Sequence, residues 1–409
     1  MKFFLNKIHP WNLFSIGLVL VVRDQLIAPF ILLAIISSIP NWKKPSFTKQ
    51  LLPVLGLILL FLWYLLAMTF SENLFDGWKN IESKLSFVLF PLMFLFTIRS
   101  WNEGLINKAK EGLIAGVIIS MLLSFGRAFI CKMNGGQICF RNDQFGFNMH
   151  ATYLSVLYLM SVIFVLERSW AVSKERWFKI SYILLVLIAI YLMRSLSSFL
   201  AAGALIFGAY FWWIVKFKNW NYLLLTPVLG IVAWFAIGEL PRISGELKNT
   251  YNTVQEYRNN PDEFIRKKVN WNESNTVRIV VWNFSSKIIA EHPIGVGTGD
   301  VKDHLFREYR AHGYDLFAEK ELNPHNQFFQ TGIAIGLGGV VLLFLVLLGP
   351  IILNLRNIDP SFVAFVTLTF ITSLFESYLE RQVGIIFFSF YLTVLVAHQL
   401  KKEQKVTGA

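Results

Sequence analysis

Charge is what this chain has least of. Asp, Glu, Lys and Arg make up 16% of its 409 residues, against about a quarter in a soluble globular protein. With 55% hydrophobic residues and a mean hydropathy of +0.52, that scarcity excludes a water-soluble fold. The charges that do occur sit in short clusters between long apolar runs, and no Asp or Glu falls near the middle of a run. A proton-coupled transporter commonly uses such an acid as its relay, so the absence argues against that class. Cysteine is nearly missing too: only Cys131 and Cys139 occur, flanking a short loop with Gly135 and Gly136. A disulfide in an oxidising compartment and two free thiols are equally open readings. No cleavable signal peptide is visible, only a basic start leading into the first apolar run. No internal repeat or low-complexity run stands out. The formal charge of +12 and pI near 9.5 would hint at nucleic acid in a soluble chain. In a membrane protein they mark cytoplasmic loops, and no nucleic-acid partner is expected.

What is present is a series of apolar runs, about twelve, each near the roughly 20 residues that cross a bilayer as a helix. The first pair, 5–22 and 26–39, is parted only by Arg23 and Asp24 and reads as a tight hairpin. The next are 51–70, 85–98, 113–131, 151–166, 177–193, 199–215 and 222–238, and the last three are 331–353, 362–374 and 383–400. Basic residues follow every even-numbered run: Lys43, Lys44 and Lys49; Arg99, Lys108 and Lys110; Arg168, Lys174 and Arg176; Lys216 and Lys218; Arg356; and Lys401, Lys402 and Lys405. The positive-inside rule then puts both termini in the cytoplasm. The alternate connections, such as 71–84, carry mixed charge with Glu72, Asp76 and Glu82.

By that alternation the one sizeable polar stretch, 239–330, lies outside. It is too long for a bare connection and short for an independent domain, so a helical subdomain over the membrane is expected. Its twelve Lys and Arg against thirteen Asp and Glu do not make a polybasic lipid-binding patch. Asn275 can cap a helix from Thr276 whose apolar Val277, Val281, Phe284 and Ile288 share one face, with a break at His292-Pro293. The expected fold is therefore all-α and polytopic: nine spans within 1–238, an outer loop subdomain at 239–330 carrying the chemistry, and three spans with a cytoplasmic tail at 331–409.

Candidate chemical groups are few. Arg127 near the outer end of the fifth span and Arg194 at the end of the seventh either snorkel to headgroups or meet substrate. Four histidines fall in the outer stretch, His292, His304, His312 and His325, at spacings that match no helical metal motif, so no metal site is expected. Gly295-Val296-Gly297-Thr298-Gly299 is either a loop turn or a set of backbone N–H groups offered to an anion, although it lacks the strand and lysine of nucleotide-binding loops. Arg278 lies on the amphipathic outer helix. Asn323-Pro324-His325-Asn326 leads into the tenth span, where Gly332, Gly336, Gly338 and Gly339 follow.

The order of these elements, Arg194-Ser195, then Arg278, then Glu291 to Gly299, then His325-Asn326 and the glycines, resembles the O-antigen ligase and O-antigen polymerase superfamily. The tail Glu376-Ser377-Tyr378-Leu379-Glu380-Arg381-Gln382 resembles its ligase-like members. That resemblance implies transfer of a glycan from undecaprenyl pyrophosphate to an acceptor, lipid A core or another glycan, at the outer face of a bacterial inner membrane. It implies His325 as the base, because a neutral imidazole can accept a proton near pH 7. Arg278 and Arg194 become the cations that hold the departing pyrophosphate, because a guanidinium stays charged and binds phosphate oxygens in a fork. Asn326, Gly295, Gly297 and Arg127 are the candidate substrate contacts. No metal, nucleotide or other cofactor is implied, and one direct displacement inverts the anomeric centre. A polymerase or a protein O-oligosaccharyltransferase would keep this chemistry and change the acceptor. A transporter of polysaccharide or lipid with a structured outer cap is the rival from another class.

Overall fold

A computed structural model describes residues 2–45, 47–146, 149–167, 173–218, 226, 241–267, 274–353 and 358–407. Among the described residues the regular elements are all helical and no strand occurs. Eight helices or helix pairs among them are long and apolar enough to cross a membrane, and shorter apolar helices stand at Ala151–Leu166, Ser197–Tyr210 and Pro360–Phe375. The chain is a polytopic membrane protein. Apart from residue 226, the expected ninth span, 222–238, lies outside the described residues, as does the boundary at 238.

The expected hairpin is formed by α1 (Lys2–Val22) and α2 (Ile27–Ser38). α3 (Leu52–Met68) follows, and then an element that charge alone had placed in a loop: α4 (Leu74–Ser83), which turns at Lys84 into α5 (Ser86–Thr97). α4 is amphipathic, with Asp76, Lys79, Asn80 and Ser83 on one face, Ile81 buried, and Phe75 and Trp78 exposed. Exposed aromatics at the end of a span suit the membrane interface. α6 (Glu103–Met133) ends beside a disulfide between Cys131 and Cys139, so of the two readings of these thiols the bridged one holds. A short α7 (Asn142–Phe145) leads to α8 (Ala151–Leu166), α9 (Ser173–Met193) and α10 (Leu196–Phe217).

The outer stretch is built from α11 (Pro241–Asn259), α12 (Pro261–Arg266), α13 (Ser274–Glu291), α14 (Val301–Ala311) and α15 (Asp315–Glu319). α13 opens slightly earlier than Thr276 and ends at the expected break, and Val277, Val281, Phe284 and Ile288 are all buried. Phe284 packs against Tyr309 and Tyr314, while Tyr314 donates to the Ile265 carbonyl at 2.7 Å. The last three helices are α16 (Gln327–Leu353), α17 (Pro360–Phe375) and α18 (Gln382–Thr407). From Val383 to Ala397 α18 is apolar on nearly every side and lies buried, with Phe387, Phe388, Phe390 and Tyr391 among its core residues, as such a helix must.

The two ends of this bundle are chemically distinct. At one end Lys110 bonds Glu167 at 2.6 Å, Lys402 bonds Asp359 at 3.3 Å and Gln50 bonds Glu403 at 2.7 Å. These residues follow or precede the even-numbered runs. Residues from the alternate connections, Asp24, Asp76, His150, His325 and Glu376 among them, line one cavity at the other end. Segments assigned to a common side by charge thus come together in space.

Candidate active site

The tetrapeptide before α16 is held by its own side chains. Asn323 Oδ1 accepts from the His325 N–H at 2.8 Å, closing a local turn. Pro324 has no N–H, and its carbonyl accepts from Trp282 Nε1 of α13 at 2.8 Å. Asn326 Oδ1 accepts from the N–H groups of Phe328 and Phe329 at 2.9 and 3.1 Å, capping α16. Its Nδ2 donates to the Leu374 carbonyl at 3.0 Å. Between turn and cap, His325 has φ of +45°, the left-handed region. Bulky residues seldom adopt it, and such strain collects at working sites.

His325 faces a carboxylate. Its Nδ1 is 3.2 Å from Glu376 Oε2, and the Arg278 guanidinium is 3.6 Å from Glu376 Oε1. Burial alone would push the Glu376 carboxyl up. The His325 hydrogen bond and charge, then Arg278 and His150, outweigh it and hold the carboxyl below the ordinary value. An ionised carboxylate only accepts, so the Nδ1 that faces it carries a proton. Two of the three residues expected to do the chemistry are therefore joined through Glu376, a residue whose role sequence reasoning left unassigned.

His325, Glu376 and Tyr153 line a polar cavity of about 750 Å³. Three of its acidic groups are backed by cations, Glu376 by Arg278 as above. Glu380 takes the buried Lys84 at 3.0 Å and Asn80 at 3.2 Å, and Lys84 lies 4.7 Å from the centre of the Tyr64 ring. Glu321 takes Lys302 at 2.8 Å. Gln327 accepts from the Leu379 N–H at 2.6 Å, which ties α16 to the Glu376–Gln382 segment. On the other side of the His325-Asn326 bond lies a second, apolar groove of about 650 Å³. Phe328, Phe329, Leu337, Val340 and Phe344 of α16 form one wall, and Ser286, Ile289 and Ala290 of α13 the other. Arg278, Trp282, Ser286 and Ile289 recur at helical spacing along α13. The stripe that ends at the paired Arg278 thus begins in the groove.

The remaining expected site residues behave differently. Gly295 and Gly297 have φ of +92° and +109°, but their N–H groups donate to the carbonyls of His292 and Ala334 at 2.9 and 3.1 Å. The donors anticipated for an anion are spent on the fold. The Gly297 N–H, with that of Val296 on the Ile333 carbonyl, docks this loop beside a break in α16 at Ile335 and Gly336. Asn326, likewise, spends both ends of its amide on capping and bracing. Arg194 adopts φ of +50° at the end of α9. It precedes Ser195, whose hydroxyl is 3.1 Å from that of Thr152, the neighbour of the cavity residue Tyr153. Arg127 is exposed on α6 and lines neither the cavity nor the groove.

Among the described residues one cluster has metal-ligand spacing, Glu167, Asp359 and His398, and it lies at the far end of the bundle. Lys110 is 2.6 Å from Glu167 and 3.1 Å from His398 Nδ1. Ammonium groups already balance those carboxylates.

Residues 181–344 match the O-antigen ligase family. The matched stretch holds Arg194, Arg278 and His325 and stops short of Glu376. No curated protein matches the chain.

Proposed function

We propose, with the match of residues 181–344 to the O-antigen ligase family as the premise, that this protein is a membrane glycosyltransferase. It moves a glycan from undecaprenyl pyrophosphate to lipid A core at the outer face of a bacterial inner membrane. The observation that supports the reading is that His325 and Glu376 line a polar cavity, Arg278 pairs with Glu376, and Asn326, next to His325, lines an apolar groove. A lipid-linked donor needs an apolar path for its tail, a cation for its diphosphate and a polar chamber for the sugars.

In the proposed reaction Glu376 keeps the proton on Nδ1, and Nε2 of His325 takes the proton of the acceptor hydroxyl. The freed oxygen bonds to the anomeric carbon as the bond from that carbon to the pyrophosphate oxygen breaks. Inversion follows from a single displacement. The electron pair leaves with the pyrophosphate, whose charge faces Arg278, and Arg194 is proposed as the second cation at the rim. A guanidinium has five donors in a fixed fork, so Arg278 can keep one edge on Glu376 and turn another to phosphate oxygens. Two arginines neutralise the diphosphate, so no divalent ion is required.

The test incubates purified protein in chelator with an undecaprenyl pyrophosphate-linked glycan and lipid A core, and resolves products on a gel. One shifted acceptor band is expected. His325→Ala is expected to lower the rate by about 10²–10⁴-fold with normal membrane insertion. Parental transfer by that variant removes the base, and a ladder built on the donor lipid makes the protein a polymerase. Glycan or lipid flux that persists without Arg278 and His325, with no glycan attached, turns the reading to a transporter.

A further inference from the structure

Two polar atoms in the cavity have no partner. Gln330 Oε1 and Ser377 Oγ are buried without a hydrogen bond, on side chains only 8% and 3% exposed. Both residues line the same cavity as His325 and Glu376. Gln330 stands one turn into α16, past the Asn326 cap, and Ser377 follows Glu376 directly. Leaving a buried acceptor unpaired is costly. Two of them on residues that line one chamber beside His325 point to a ligand that supplies the missing partners.

The chemistry of the chamber says what kind of ligand. Gln330 Oε1 can only accept, while Ser377 can accept and donate. Three of the carboxylates there are already matched, Glu376 by Arg278, Glu380 by Lys84 and Glu321 by Lys302. A phosphorylated ligand would need a surplus of positive charge, whereas the lining sets the carboxylates of Asp24, Asp76, Glu321, Glu376 and Glu380 against the cations of Lys79, Lys302 and Arg381. An uncharged, hydroxyl-rich ligand needs no such surplus, and a cavity of about 750 Å³ falls in the range that encloses a small organic ligand.

We infer that Gln330 and Ser377 form the acceptor subsite and select an unphosphorylated sugar, one hydroxyl donating to Gln330 Oε1 and a neighbouring one pairing with Ser377 Oγ. The subsite orients the acceptor so that a further hydroxyl meets His325. This rests on the transferase reading for its role, but its sugar binding can be measured without any transfer.

The experiment uses the full chain in lipid nanodiscs and titrates delipidated, dephosphorylated core oligosaccharide by calorimetry, for the parent, Gln330→Met and Ser377→Ala. Each variant is expected to bind about tenfold more weakly and to raise KM for lipid A core with kcat and the KM for the donor lipid little changed. Thermal stability is expected to hold or rise, because each substitution removes an unsatisfied buried atom, whereas a residue with a purely structural role would lose stability. Unchanged affinity in both variants overturns the proposal, as does a parent that fails to bind the oligosaccharide. Tighter binding of the phosphorylated core than of its dephosphorylated form overturns the preference for an uncharged sugar. A parent that binds the oligosaccharide through Gln330 and transfers no glycan upholds the subsite and refutes the transferase instead.

Discussion

His325 can act as a base only while its other nitrogen keeps a proton, and Glu376 is the group that keeps it there. The carboxylate is shared, since it also takes Arg278, so it couples the proposed base to the proposed phosphate ligand. Glu376→Gln keeps the shape and removes the charge. A hydrogen bond to a charged group is worth about 1.5–3 kcal/mol, so kcat is expected to fall roughly 10–100-fold. Stability carries a separate signature. The folded Glu376 carboxyl lies below its ordinary value of 4.5, so its ionised form stabilises the fold above that pH. The contribution fades as pH falls through the lower folded value. The gap in melting temperature between parent and Glu376→Gln is expected to be widest near neutrality and to close in acid. A gap independent of pH would mean that lost packing, not charge, explains the variant.

At the scale of elements the decisive feature is the break in α16. Gly336 has φ of +74° and ψ of −176°, a region open essentially to glycine alone. The break frees the carbonyls of Ile333 and Ala334 to accept from Val296 and Gly297 at 2.8 and 3.1 Å. A Cβ on Gly336 would meet the Ile294 carbonyl carbon at 2.4 Å, and one on Gly295 would meet the Ala334 oxygen at 2.6 Å. Gly336→Ala is therefore expected to cost at least about 1–3 kcal/mol in backbone strain. It should loosen the 292–299 loop and reduce transfer with it. Gly208→Ala on α10, where nothing lies within 4 Å of the added carbon, is the matched control and should keep or raise the melting temperature. The sequence showed the glycines of both segments but not their meeting. An unbroken apolar run reads as one straight span, because periodicity carries no mark for a carbonyl that turns aside. α4 went unread for a related reason. Its mixed charges look like a loop, although Asp76, Lys79, Asn80 and Ser83 against Leu74, Trp78 and Ile81 already had a helical period. Arg278 and His325 could be found because motif order survives without coordinates. Glu376, Lys84 and Gln330 acquire their roles only through contacts between distant segments.

At the scale of the whole molecule, the alternation of basic loops makes a claim that geometry can meet. Outward connections bring Asp24, Asp76, His150, His325 and Glu376 together at the polar cavity end. Four residues of the inward ones, Lys110, Glu167, Asp359 and Lys402, pair at the other end. Chance placement of loops would have mixed the two sets. The absolute orientation follows only from the positive-inside rule, and it decides whether the cavity meets periplasmic or cytoplasmic substrates. Cysteine labelling reads it directly, because the two native cysteines are joined to each other and give no background. Lys302 at the cavity and Lys402 near the far end are both partly exposed, at 52% and 43% of their side chains. The ion pair lost at the more exposed Lys302 is worth little, and cysteine should be tolerated at either position. Lys302→Cys in spheroplasts is expected to react with a membrane-impermeant maleimide, and Lys402→Cys only after the membrane is opened. The reverse pattern would turn the cavity to the cytoplasm, where a periplasmic acceptor could never reach His325.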